Sequence, residues 1–132
     1  MQVQALGHVV LKVRNLQRSE DFYSGTLGIR VISRICDPRM TLFTLETTQN
    51  HHDFGLMELG SAAPAPAGDA TGLAHVAFKV GNSLEDFGLT RSLLDESETP
   101  VLYEALRGFS RSVHVLDPDG NEIELYVDIS GD

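Results

Sequence analysis

The sequence predicts an α+β fold built from two tandem βαβββ units, and three repeated phrases predict it. His8-Val-Val-Leu-Lys-Val13 recurs as His75-Val-Ala-Phe-Lys-Val80, an offset of 75 − 8 = 67 residues in a chain of 132. Glu20-Asp21-Phe22 recurs as Glu85-Asp86-Phe87, and Met57-Glu58-Leu59 matches Ile123-Glu124-Leu125. Offsets of 65 to 67 in a constant order mean duplication, and self-similarity at half-length means two related units that complete each other.

Element by element, Val3–Val13 reads as a strand of valines and leucines around His8. Asn15 is a helix N-cap, and Leu16, Ser19, Phe22, Tyr23 and Leu27 form a helical stripe ending at Gly28. Ile29–Ile35, Met40–Leu45 and His52–Leu59 follow as strands and close the first unit, residues 1–60. Residues 61–72 are rich in Ala, Pro and Gly and read as a linker. The second unit, residues 73–130, opens with strand Leu73–Val80. Ser83 with Asp86 three residues on resembles a capping box for a helix carrying Leu84, Phe87, Leu93 and Leu94. Strands at Val101–Glu104, Ser110–Leu116 and Glu122–Val127 complete it, the last two joined by the turn Asp117-Pro-Asp-Gly120.

A length of 132 residues fits one domain, and a hydrophobic fraction of 42% is ordinary for a globular chain. Net charge is −9, with 10 basic residues against 19 acidic and no basic run, which argues against nucleic-acid binding. Neither a membrane span nor a signal peptide is visible, so a soluble cytoplasmic protein is expected. Cys36 is the single cysteine and cannot form an internal disulfide.

Side chains alternate across a strand. If His8, His75 and Glu124 share one concave face, two imidazoles and a carboxylate converge from three strands. That set suits a divalent metal and leaves coordination positions open to substrate oxygens. A lone strand histidine is more often structural than a ligand, and a carboxylate between Ile123 and Leu125 is as readily a solvated outer face. The duplication is what lifts the histidine pair above that reading.

From Gly7-His-Val-Val to Asp117-Pro-Asp-Gly-Asn-Glu-Ile-Glu-Leu-Tyr126, the chain resembles the vicinal oxygen chelate superfamily of glyoxalase I, type I extradiol dioxygenases, fosfomycin-resistance enzymes and bleomycin-binding proteins. The resemblance implies a cup-shaped, mostly antiparallel sheet around a metal held by His8, His75 and Glu124. It also implies a homodimer and a small-molecule substrate. His51-His52-Asp53-Phe54-Gly55-Leu56 is similar to a stretch of small extradiol dioxygenase-like proteins, in which the histidine before Asp is an acid/base beside dioxygen. That residue is His52 here, while His51 reads as loop.

Two positions depart from the ring-cleaving pattern. Arg107 stands where those enzymes carry a histidine, and His114 where they carry a tyrosine. Arginine does not act as a base but can clamp an anionic substrate. Histidine keeps acid/base capacity near neutrality. Tyr126, on the strand face of Glu124, is expected to line the cup. Glu58 reads by the repeat as the partner of Glu124, and glyoxalase I uses a glutamate at this place as a fourth ligand. Fosfomycin-type transfer fits less well, because Val10 takes the place of a threonine.

The expected function is therefore an extradiol dioxygenase-like enzyme using Fe(II), with Mn(II), Ni(II) or Zn(II) as alternative metals. His52 and His114 are its expected catalytic groups, and Arg107 and Tyr126 its substrate contacts. The competing readings are a glyoxalase I-like lyase or isomerase using Glu58, and a non-catalytic binding protein of the bleomycin-resistance type.

Overall fold

The structure is a computed structural model that describes residues 1–129, so residue 130 at the expected end of the second unit lies outside the described residues. The chain forms two compact units, Met1–Pro64 and Ala65–Asp132. Unit 1 contains β1 (Val9–Val13), α1 (Leu16–Glu20) running into a π-helical turn (Asp21–Thr26), β2 (Arg30–Cys36), β3 (Arg39–Thr44) and β4 (Phe54–Glu58). Unit 2 contains β5 (His75–Gly81), α2 (Leu84–Glu96), β6 (Val101–Arg107), β7 (Ser110–Leu116) and β8 (Glu122–Asp128). The α+β class and the βαβββ order are those the repeat predicts.

Each unit holds one four-stranded mixed sheet of the same topology, β1-β4-β3-β2 and β5-β8-β7-β6. Among the described residues, only the β1–β4 and β5–β8 pairs are parallel. One irregularity repeats as well. β2 has a bulge between Val31 and Ser33, and β6 has one between Val101 and Tyr103.

Period-two alternation splits each sheet into a helix-facing side and an opposite side. In unit 1, Phe43, Phe54 and Leu56 are buried beneath Tyr23, whose ring centroid lies 4.9 Å from that of Phe54. In unit 2, Val113, Val115, Ile123, Leu125 and Val127 are buried, with Phe87 and Leu94 of α2. The Arg111 guanidinium lies 4.7 Å over the Phe87 ring, which assigns its alternate set of β7 side chains to the α2 side.

Several boundaries differ from expectation. The first strand starts at Val9 rather than Val3, because β4 supplies ladder partners only for Val9–Val13. The first helix is α-helical for five residues and then widens into the π turn. That turn carries adjacent Phe22 and Tyr23 into the core together, their rings edge-on at 5.0 Å. Both caps are present: Asn15 Oδ1 accepts from Arg18 N, and Ser83 Oγ accepts from Asp86 N. Asp86 reaches back to Asn82 N instead of to the cap residue itself, so the box is displaced by one position. No described helix is long and apolar enough to cross a membrane.

Candidate functional site

Strand register decides what each unit presents on the side opposite its helix. In unit 2, one row across the sheet reads Ala77, Glu124, His114 and Tyr103. The neighbouring positions bring His75 beside Glu122, and Lys79 beside Tyr126 and Ser112. In unit 1 the equivalent row reads Val10, Gly55, Leu42 and Ser33. The repeat therefore builds a polar, titratable surface in unit 2 and a largely apolar one in unit 1.

Within the unit 2 row, His114 is buried at 3% exposure and engaged on both ring nitrogens. Its Nδ1 lies 3.2 Å from Glu122 Oε2, and its Nε2 lies 3.2 Å from both Glu124 Oε1 and Ser112 Oγ. Tyr103 stacks on the imidazole, with centroids 4.2 Å apart and planes 16° apart, and donates its hydroxyl to Glu122 Oε2 at 3.3 Å. The Tyr103 phenol is held above its ordinary pKa, first by desolvation and then by the charge and hydrogen bond of Glu122; Arg107 works against that rise. His75 Nδ1 lies 3.9 Å from the same Glu122 oxygen. Arg107 ends β6 two alternations beyond Tyr103, exposed and on the same side of the strand. A cleft of about 330 Å³ opens beside this surface, lined by residues including His75, Glu122, Leu116 and Asn121. Its size suits a small ligand.

In unit 1, the His8 and His52 rings pack with centroids 4.2 Å apart and planes tilted by 40°. Asp53 explains how His52 is placed there. Its carboxylate accepts from Leu45 N at 2.7 Å, Thr48 Oγ1 at 2.6 Å and Asn50 Nδ2 at 2.8 Å, which closes the loop between β3 and β4. Burial alone would raise the Asp53 pKa, but these donors outweigh it and the carboxyl sits below its ordinary value. The aspartate next to His52 is thus a loop anchor. Strand β4 begins only at Phe54, so His52 does not share the regular alternation expected of it.

Glu58 is the main correction. The 67-residue offset relates Ala77 to Val10, whose ladder partner is Gly55, so Gly55 occupies the place of Glu124. A Cβ on Gly55 would lie 3.1 Å from Leu42 Cδ2 and 3.3 Å from Val10 Cγ2, leaving little room for a larger side chain. Glu58 instead shares the side of Phe54 and Leu56. Its Oε2 accepts from Leu16 N at 2.9 Å, satisfying a free N–H at the start of α1, and its Oε1 lies 3.6 Å from Arg39. The sequence match failed because loop lengths differ between the units.

Glu122 and Tyr103 were not anticipated. Alternation along β8 puts Glu122 on the side of Glu124, so its signal was available. Tyr103 was hidden, because the bulge in β6 sets its register. Among the described residues, no group of three or more His, Cys, Asp or Glu side chains is gathered to hold a metal ion. On this side of the unit 2 sheet, His75 and Glu124 carry the nitrogen and oxygen atom types that first-row divalent metals accept as ligands.

Residues 5–125 match the Glyoxalase/Bleomycin resistance protein/Dioxygenase superfamily. The chain belongs to that superfamily. Similar members include Biphenyl-2,3-diol 1,2-dioxygenase 3 of Rhodococcus globerulus, 31% identical over 127 residues, and Catechol-2,3-dioxygenase of Bacillus subtilis, 28% identical over 130 residues. Each alignment covers 93% of this chain but only 63% and 41% of those two relatives. Among solved structures, a glyoxalase/dioxygenase from Nostoc punctiforme superposes with a TM-score of 0.78 at 20% identity, covering 95% of this chain and 91% of that one. A lactoylglutathione lyase from Agrobacterium tumefaciens gives 0.72 at 19% identity, with 96% of each chain covered. At such identities the structural likeness establishes the fold.

Proposed function

We propose that this chain is a metal-dependent, extradiol dioxygenase-like enzyme acting on a vicinal diol. The observation that carries the proposal is the polar row of unit 2, where Glu124 and His75 stand on one side of the sheet among further titratable groups. The names of the relatives, biphenyl-diol and catechol dioxygenases, support the substrate class. In this reading His75 and Glu124 are metal donors, and His8 is the third donor expected from sequence. Fe(II) is the metal proposed. Once bound, the metal would act as a Lewis acid that lowers the pKa of the diol hydroxyls and orients them.

The chain's own residues supply the rest. His52, held by the loop that Asp53 anchors and packed on His8, accepts and returns protons. His114 was expected to do the same, yet both of its nitrogens face carboxylates, which favours a role in holding Glu124. Arg107 provides a guanidinium for a carboxylate or other anionic substituent on the diol. Tyr126, on the side of Glu124, flanks the substrate. The lyase or isomerase alternative loses its distinctive ligand, because Glu58 is committed to the start of α1. The functional form is proposed to be a homodimer, consistent with the exposure of Val3 and Leu6 ahead of β1, and sedimentation velocity would read this directly.

Metal analysis of protein purified without oxygen tests the proposal. Iron bound in the wild type and lost in His75→Ala and Glu124→Ala is the expected result. Unchanged iron content in both variants would remove the ligand assignment, whereas wild-type protein that binds no metal would leave a metal-free binding protein as the better reading.

A further inference from the structure

We infer that Glu122 is a positioning carboxylate for the unit 2 donors, orienting His75 directly and Glu124 through His114. The inference rests on reading His75 and Glu124 as metal donors. Its basis is the convergence of three groups on one oxygen. Glu122 Oε2 lies 3.2 Å from His114 Nδ1, 3.3 Å from the Tyr103 hydroxyl and 3.9 Å from His75 Nδ1.

The direction of each ring gives the convergence its meaning. With Nδ1 turned to a carboxylate, the His75 imidazole presents Nε2 outward as the coordinating atom. Such carboxylate–imidazole pairs fix the tautomer and ring orientation of a ligand and raise its basicity. The 3.9 Å separation is an ion-pair distance, longer than a hydrogen bond. On the other side, Glu122 fixes His114 by its Nδ1, and this aims His114 Nε2 at Glu124 Oε1, 3.2 Å away. Tyr103 serves both functions. Its hydroxyl holds the Glu122 oxygen, and its ring, 4.2 Å from the imidazole and nearly parallel to it, sets the plane of His114. Glu122 lies two residues from Glu124 on the same strand and opposite His75 in the ladder, so the spacing is built into the sheet.

The test is a Co(II) titration of the full chain in competition with a chelator, paired with ¹⁵N NMR of the histidine side chains in metal-free protein. Glu122→Gln should weaken Co(II) binding by about 10–100-fold, the usual cost of losing a carboxylate that supports a ligand. It should also shift His75 away from the Nδ1–H tautomer. Tyr103→Phe, which keeps the stacked ring, should weaken binding less than Glu122→Gln. Melting temperatures close to wild type separate these effects from misfolding. Unchanged affinity and an unchanged His75 tautomer in Glu122→Gln, alongside lost binding in His75→Ala, would overturn the positioning role alone. Loss in Glu122→Gln as complete as in Glu124→Ala would also overturn it, by making Glu122 a ligand. Undiminished binding in both His75→Ala and Glu124→Ala would remove the underlying donor assignment and the inference with it.

Discussion

Glu20 lies buried beneath the unit 1 sheet, where Arg34 pairs with it and Thr41 Oγ1 donates to it at 2.7 Å. The Arg34 hydrogen bond is the leading cause of a Glu20 pKa below the ordinary glutamate range, opposed by desolvation and helped by Thr41. A carboxyl depressed on folding contributes stability that is fully present above its unfolded pKa, ~4.3 for glutamate. That stability is lost as pH falls through the folded value. Glu20→Gln should therefore cost about 1 kcal/mol at neutral pH, a modest figure because Arg34 is largely exposed. It should also flatten the acid side of the stability curve, as read by urea unfolding between pH 7 and pH 3. An unaltered acid limb would mean that Glu20 does not titrate with folding. Glu58 allows a second test at this scale. Glu58→Gln should leave metal content unchanged while lowering the melting temperature slightly, and a loss of metal would restore Glu58 as a ligand.

Strands and caps were largely legible because they depend on local chemistry. Asn15 and Ser83 cap where their side-chain oxygens predict, and Ser110–Leu116 forms a strand over the full range expected. The turn after it was legible too: Asp117 Oδ1 accepts from Asp119 N and Asn121 N, and Gly120 takes φ 87°. What depended on a partner was not legible. Val3 to His8 have suitable residues for a strand, but β4 is too short to pair with them. The junction of β5 with α2 has a comparable constraint. A Cβ on Gly81 would lie 2.3 Å from Asp86 Cβ, so Gly81→Ala forces this junction apart. The expected cost is about 1–3 kcal/mol, typical of overpacking, measured as a lower denaturation midpoint with an unchanged slope. A neutral result would show that α2 shifts freely on its sheet.

Over the whole chain, duplication made the architecture readable and concealed where the two units diverge. Matching Glu58 to Glu124 by offset was reasonable from the string of residues, yet register assigns Gly55 to that position. The difference separates an apolar row, Val10-Gly55-Leu42, from one that carries Glu124 and His114. That His75, Glu124, Arg107 and Tyr126 share one side of the unit 2 sheet follows from strand alternation, as does the place of Glu122. Tyr103 required the bulge. On the proposed reading, Arg107, at the end of β6 on the side of Glu124, favours catechols bearing a carboxylate. Oxygen uptake by protein reconstituted with Fe(II), measured against a panel of catechols with and without that group, is the most direct test. The prediction is oxygen consumption with ring-opened product, fastest for the carboxylated catechols and lost in Glu124→Ala. No oxygen consumption with any catechol by fully iron-loaded protein would contradict it.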